Sequence, residues 1–204
     1  MENCNTSPFL LTSSGNPDPK NYSRSIVRET GSYADNPRGR ASQRILGTTT
    51  RFSFDDWKKA AFDTHVITSD ELLPEWPATL RKSVMESTGA EAVHELERWD
   101  HRSTTDSLAI TVFTLWHHSM AHKAAKPEIL KESLRGVLAD LSKRFGTWRV
   151  PYGNLNRLQR SVAFGEPPFD SPTFDDDESS LPIAAVSQED GTPFTLDTVL
   201  GKQG

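Results

Sequence analysis

The chain has 204 residues, 35% of them hydrophobic, and a formal net charge of −5. That apolar share is low for a self-sufficient globular domain, where about 45–50% is usual once Gly is counted, so it implies long polar loops or a piece that leans on another piece. Interspersed charge without a basic stripe excludes a nucleic-acid binder; no apolar run nears the roughly eighteen residues of a membrane span; and a lone cysteine, Cys4, excludes a disulfide framework and a thiolate zinc site. No signal-peptide pattern opens the sequence, which taken alone reads as cytoplasmic.

Residues 1–50 are rich in Asn, Ser, Thr, Gly, Pro and Arg and are punctuated by Asn16-Pro17 and Asn36-Pro37, the chemistry of an extended loop region. Helices are expected across 51–146. Ser53 can cap the first, with Phe54, Trp57 and Ala61 on one face and Asp55 and Asp56 in its first turn. A second is expected over 76–85, and a third over 90–99 with Val93, Leu96 and Trp99 in register. A fourth starts at Thr105 or Asp106 and buries Leu108, Val112, Leu115 and Trp116. Pro127 suits the first turn of a fifth, whose stripe is Leu130, Leu134, Val137, Leu138, Leu141 and Phe145, with Gly146 as a left-handed cap.

Residues 147–204 read as short strands and Pro-rich, acidic loops. Strands are expected at Trp148-Arg149-Val150, over 181–186 and over 191–196, with a turn at Pro151-Tyr152-Gly153. The expected fold is therefore mainly α with short β segments at both ends.

Chemistry-bearing residues are sparse. His118 and His122 stand at i, i+4, but no third zinc ligand is evident, so no metal site is assigned. The run Asp175-Asp176-Asp177-Glu178 lacks the spacing of a calcium loop and reads as a solvated acidic loop. No G-x-S-x-G elbow and no Gly-rich phosphate loop occur. Trp57, Trp99 and Trp116 are expected in the core. The opening NCNTSPFL offers Asn5, whose amide can stabilise an oxyanion if its loop is stiff; an Asx-turn bonding its own backbone is the plainer alternative.

The order of NCNTSPF, NPRGRASQRIL, RFSFDDWKKAAFDTHV, HELERWDHRSTTDS and LADLSKRFGTWRVPYGNLNRLQR resembles the β-subunit of the penicillin amidase family, over roughly residues 2 to 198. The Trp99-Asp100 pair with Arg102 and Ser107, and the Asn156-Arg157-Leu158 tract, look closest to the acyl-homoserine-lactone and aculeacin acylase branch. The resemblance implies an incomplete part of an αββα N-terminal-nucleophile hydrolase fold. In that family a Ser, activated by its own α-amino group, attacks an acyl amide and forms an acyl-enzyme. It implies Asn5 as oxyanion donor and Arg40 as the residue supporting the site, with Arg38 and Arg44 as alternatives. It implies a small acylated amide as substrate, such as an acyl-homoserine lactone or a penicillin, with roles in quorum quenching or antibiotic metabolism.

The resemblance also implies an α-subunit and the remainder of the β-subunit as partners, a periplasmic or secreted location for the intact enzyme, and no cofactor apart from calcium in some members. No Ser nucleophile or Gly-Ser processing junction precedes Asn5 here. The expectation is a partial β-subunit, inactive alone. A non-enzymatic helical interaction module derived from an acylase is the alternative.

Overall fold

The structure, a computed structural model, describes residues 6–12, 14–31, 36–47, 51–81, 86–158 and 181–182. Among them the helices run α1 (Arg24–Gly31), α2 (Pro37–Leu46), α3 (Phe54–Ala61), α4 (Ile67–Leu72), α5 (Trp76–Leu80), α6 (Ser87–Arg98), α7 (Leu108–Ser119), α8 (Pro127–Phe145) and α9 (Tyr152–Leu155).

α7 is the centre. It is apolar nearly all round, as a helix enclosed by others must be, and buries Ala109, Ile110, Val112, Phe113 and Trp116 together with Thr111 and Thr114. The buried threonine hydroxyls bond back along the helix, Thr114 Oγ1 donating to the Ile110 carbonyl at 2.9 Å, so no polar group is stranded there. α6 presents Ala92, Val93 and Leu96 to α7, and α8 presents Leu130, Leu134, Val137, Leu138 and Leu141. Trp116 ties α7 to α8 directly, its indole Nε1 donating to the Leu130 carbonyl at 3.2 Å. Trp76 packs edge-on against Trp116 at 4.8 Å between ring centres. α8 ends at Gly146, left-handed at φ 75°, where a Cβ would be strained. The start of α9 is stitched to the start of α7 by Tyr152 N–H to Ser107 O at 3.1 Å and Gly153 N–H to Thr105 O at 2.7 Å.

Two expectations are corrected. The short β segments at both ends, as parts of an αββα fold, are contradicted. The described amino-terminal residues contain a 3-10 turn (Pro19–Asn21), α1 and α2 but no strand, and Trp148-Arg149-Val150 is a bend and coil that leads into α9. Extended pairing among the described residues is limited to Arg157–Leu158 against Leu181–Pro182, two residues a side, and an isolated antiparallel bridge between His65 and Arg102; pairs this short carry no independent stability. Most of the expected strand over 181–186 and all of that over 191–196 lie outside the described residues. Val150 and Trp148 are buried because their side chains close the α6–α8 core, a demand that needs no strand pairing.

The second correction is Trp57. It is 54% exposed, not core, and its neighbours Phe54 and Phe62 are 80% and 79% exposed. α3 turns its other side to the protein: Asp56, Lys59 and Ala60 share a shallow cleft with Arg44 and Ile45 of α2.

Candidate functional site

The opening loop is held by α2. Asn36 caps that helix, its Oδ1 accepting from Gly39 N–H at 2.9 Å, and Pro37 occupies the first turn, where a missing N–H costs nothing. The loop folds on itself through Leu10 N–H to Ser7 O at 2.8 Å, and Gln43 Nε2 of α2 donates to the Leu10 carbonyl at 2.8 Å. Ser7 is buried. Thr6 lies so close to α2 that a Cβ on Gly39 would meet Thr6 Oγ1 at 2.2 Å and Thr6 Cβ at 3.3 Å. That Oγ1 is shut off from solvent and has no hydrogen-bond partner among the described residues. An unmatched buried hydroxyl of this kind costs about 1–3 kcal/mol. Asn5 itself lies outside the described residues, as does the acidic run over 175–178.

α2 carries the three candidate arginines. Arg40 reaches α4: its Nη2 donates to Glu71 Oε2 at 3.1 Å, and its Nε lies 2.7 Å from Glu71 Oε1. The carboxylate thus fixes the plane of the guanidinium. Arg44 pairs with Asp63, and Asp63 also accepts from Arg102 Nη1 at 3.0 Å. Arg38 is the neighbour of Gly39 on the turn that faces the loop. Thr6, Arg38, Gly39 and Arg40 are therefore brought to one end of α2, whereas Arg44 stands a turn further along, beside α3.

Beside this arrangement sits a cluster that composition and spacing did not reveal. Asp70 on α4 accepts from both sides, Oδ2 with His65 Nε2 at 2.6 Å and Oδ1 with His101 Nδ1 at 2.6 Å. His101 is left-handed at φ 62°, a conformation uncommon outside Gly and Asn. It is held there by Val66 N–H to its carbonyl at 2.9 Å and by the ring of Trp99, 5.5 Å away and nearly parallel. Burial pushes the Asp70 carboxyl up, but the hydrogen bonds and charge of the two imidazoles outweigh it and hold the group below its usual range. The five-residue separation of His65 and Asp70 was the only local signal; the partner His101 is distant in sequence. By contrast, His118 and His122 do not share a helix face, since α7 ends at Ser119 and His122 follows at φ 62°. Among the described residues no group of three His, Cys, Asp or Glu side chains converges as metal ligands would, and no calcium chemistry is assigned to these residues.

The family model described as Penicillin amidase matches residues 3–189. The chain belongs to the penicillin amidase family. No curated protein matches it. Penicillin amidases are acylase-type hydrolases of the N-terminal-nucleophile kind, so the family match covers the loop, α2 and the whole helical core in one unit. Among the described residues no helix is long and apolar enough to cross a membrane.

Proposed function

We propose that this chain forms part of the β-subunit of an acylase that cleaves a small acylated amide through a Ser acyl-enzyme, the nucleophile coming from a segment outside these residues. Acyl-homoserine lactones and penicillins are the substrates the reading favours, with quorum quenching or antibiotic breakdown as the consequence and a periplasmic or secreted setting. Asn5 donates its side-chain amide to the oxyanion that develops when the amide carbonyl is attacked. Arg40, its plane fixed by Glu71, supports the loop's end of α2 with a permanent charge.

One observation carries this reading. The residues that immediately follow Asn5 are docked on the very helix that bears Arg40, at a glycine that only a bare backbone fits. An oxyanion donor acts only if it does not have to reorganise, and a loop anchored through Ser7, Leu10 and Gly39 meets that need. The test uses two proteins, the purified chain and a complete penicillin-amidase-family acylase whose corresponding segment is replaced by residues 3–189. With hexanoyl-homoserine lactone or penicillin G, the reading expects turnover from the chimera and none from the chain alone. Repeated turnover by the chain alone contradicts it, as does a folded, correctly processed chimera without activity.

A second reading, a non-catalytic helical interaction module, is favoured by the aromatic face that α3 leaves in solvent.

A further inference from the structure

α2 has little hydrophobic hold on the molecule. It buries only Gly39 and Ala41, yet it carries Arg40 and the glycine on which the opening loop docks. Burying two residues this small removes little apolar surface from water, so the tilt and rotation of the helix depend on polar contacts. Ion pairs supply them: Asp63 holds Arg44, and Glu71 of α4 holds Arg40.

α4 is itself a weak platform. It has six residues and no side-chain cap at its start, too few to keep a helix without tertiary support. Its inner side is buried through Thr68 and Ser69. Its outer side carries Asp70 and Glu71 next to each other, 40% and 45% exposed, so both can be replaced without touching the core. The Asp70 carboxylate steadies that outer side. It takes one hydrogen bond on each oxygen, from His65 Nε2 and from His101 Nδ1, both at 2.6 Å. A carboxylate only accepts, so each of those ring nitrogens carries its proton.

The two imidazoles stand on chain segments that are joined to each other. Ser103 N–H donates to the Thr64 carbonyl at 2.9 Å, beside the antiparallel bridge of His65 and Arg102. Trp99 ties the second segment to the core, its indole Nε1 donating to the Arg102 carbonyl at 2.8 Å. His101 meets Asp70 from a left-handed backbone. Strain of that kind, about 1–3 kcal/mol, persists only where the surrounding contacts impose it.

We propose that Asp70, gripped by His65 and His101, is a positioning residue for the acylase site: it fixes the rotation of α4, hence the Glu71 carboxylate, hence the plane of the Arg40 guanidinium. This rests on the role given to Arg40 above. Asp70 acts through Glu71, and its contribution is rigidity. A supporting charge displaced by about 1 Å is enough to slow a site by about a hundredfold.

The first test reads the position itself. In the isotopically labelled full chain, hydrogen exchange of the Arg40 Nε–H is followed by NMR well below the unfolding midpoint. The Arg81 Nε–H, which donates to Glu97 Oε1 at 2.6 Å, is the internal control. Asp70→Asn keeps the shape of the side chain and is expected to speed exchange at Arg40 by roughly tenfold or more, leaving Arg81 unchanged. His101→Asn has the same effect, since Asn tolerates the left-handed backbone but withdraws the donor.

The second test reads the consequence. In the chimera carrying residues 3–189, Asp70→Asn lowers kcat by about tenfold to a hundredfold with KM little changed. It has no further effect once Glu71→Gln has released Arg40. Exchange at Arg40 that ignores Asp70→Asn overturns the inference, as does an equal rise at Arg81, the mark of general loosening. So does an active chimera that is indifferent to Asp70→Asn, or one in which the losses from Asp70→Asn and Glu71→Gln simply add. A chimera without turnover counts against the acylase reading, and the exchange result then decides the positioning by itself.

Discussion

Gly39 decides whether the opening loop can lie where it does. A side chain there would meet Thr6 Oγ1 at 2.2 Å and Thr6 Cβ at 3.3 Å, so the hydroxyl must rotate away and the loop must also give by a few tenths of an ångström. Gly39→Ala is therefore expected to lower stability by about 1–3 kcal/mol, the usual cost of overpacking, read as a lower urea midpoint at unchanged slope. A neutral or stabilising Gly39→Ala would mean that the loop is not docked on α2, because an alanine in a free helix position helps. Single residues were the part of the structure most legible from sequence where their chemistry is local. Ser53 accepts from Asp56 N–H at 3.2 Å as a cap should, Pro127 opens α8, and Gly146 is left-handed. Trp57 was misplaced because periodicity reports that a face is apolar, not that anything covers it.

At the scale of elements, the connections between α4 and the segment after α6 rest on polar clamps. Asp63 holds Arg44 and Arg102, and Asp70 holds His65 and His101. Asp70 is depressed in the folded protein, so its contribution is complete above the unfolded carboxylate value of about 3.9 and is lost as the pH falls through the lower folded value. The thermal midpoint of Asp70→Asn should thus lie below that of the native chain at pH 5 to 7, and the gap should close as pH drops through the acid range below about 3.9. A gap that stays constant down to the lowest pH would show that the Asp70 charge is not what His65 and His101 engage. Helices with long apolar stripes, α6, α7 and α8, could be read from their spacing. α2 could not. It buries only Gly39 and Ala41, so its contact is made by small residues that leave no hydrophobic period. Asn36-Pro37 there is a helix start, though the same pair also marks loops. α9 was read as a turn and Trp148-Arg149-Val150 as a strand. The burial of Trp148 and Val150 is satisfied by the α6–α8 core without any paired neighbour.

For the whole molecule, the core centred on α7 is a scaffold that presents α2 and its loop at one side and the bare face of α3 nearby. The family was legible because the motifs recur in order along the chain, and the match over 3–189 bears out that resemblance. The strand content was not legible, since polar and Pro-rich stretches carry no period to separate extended from coil backbone. The role proposed for Asn5 is that of oxyanion donor in an acylase. The most direct measurement is the turnover of the chimera carrying residues 3–189 with Asn5→Ala, compared with the unaltered chimera on the same acylated amide. The account predicts a fall in kcat of about 10²–10³ with KM little changed, the mark of an interaction made only in the transition state. An unchanged kcat would contradict it.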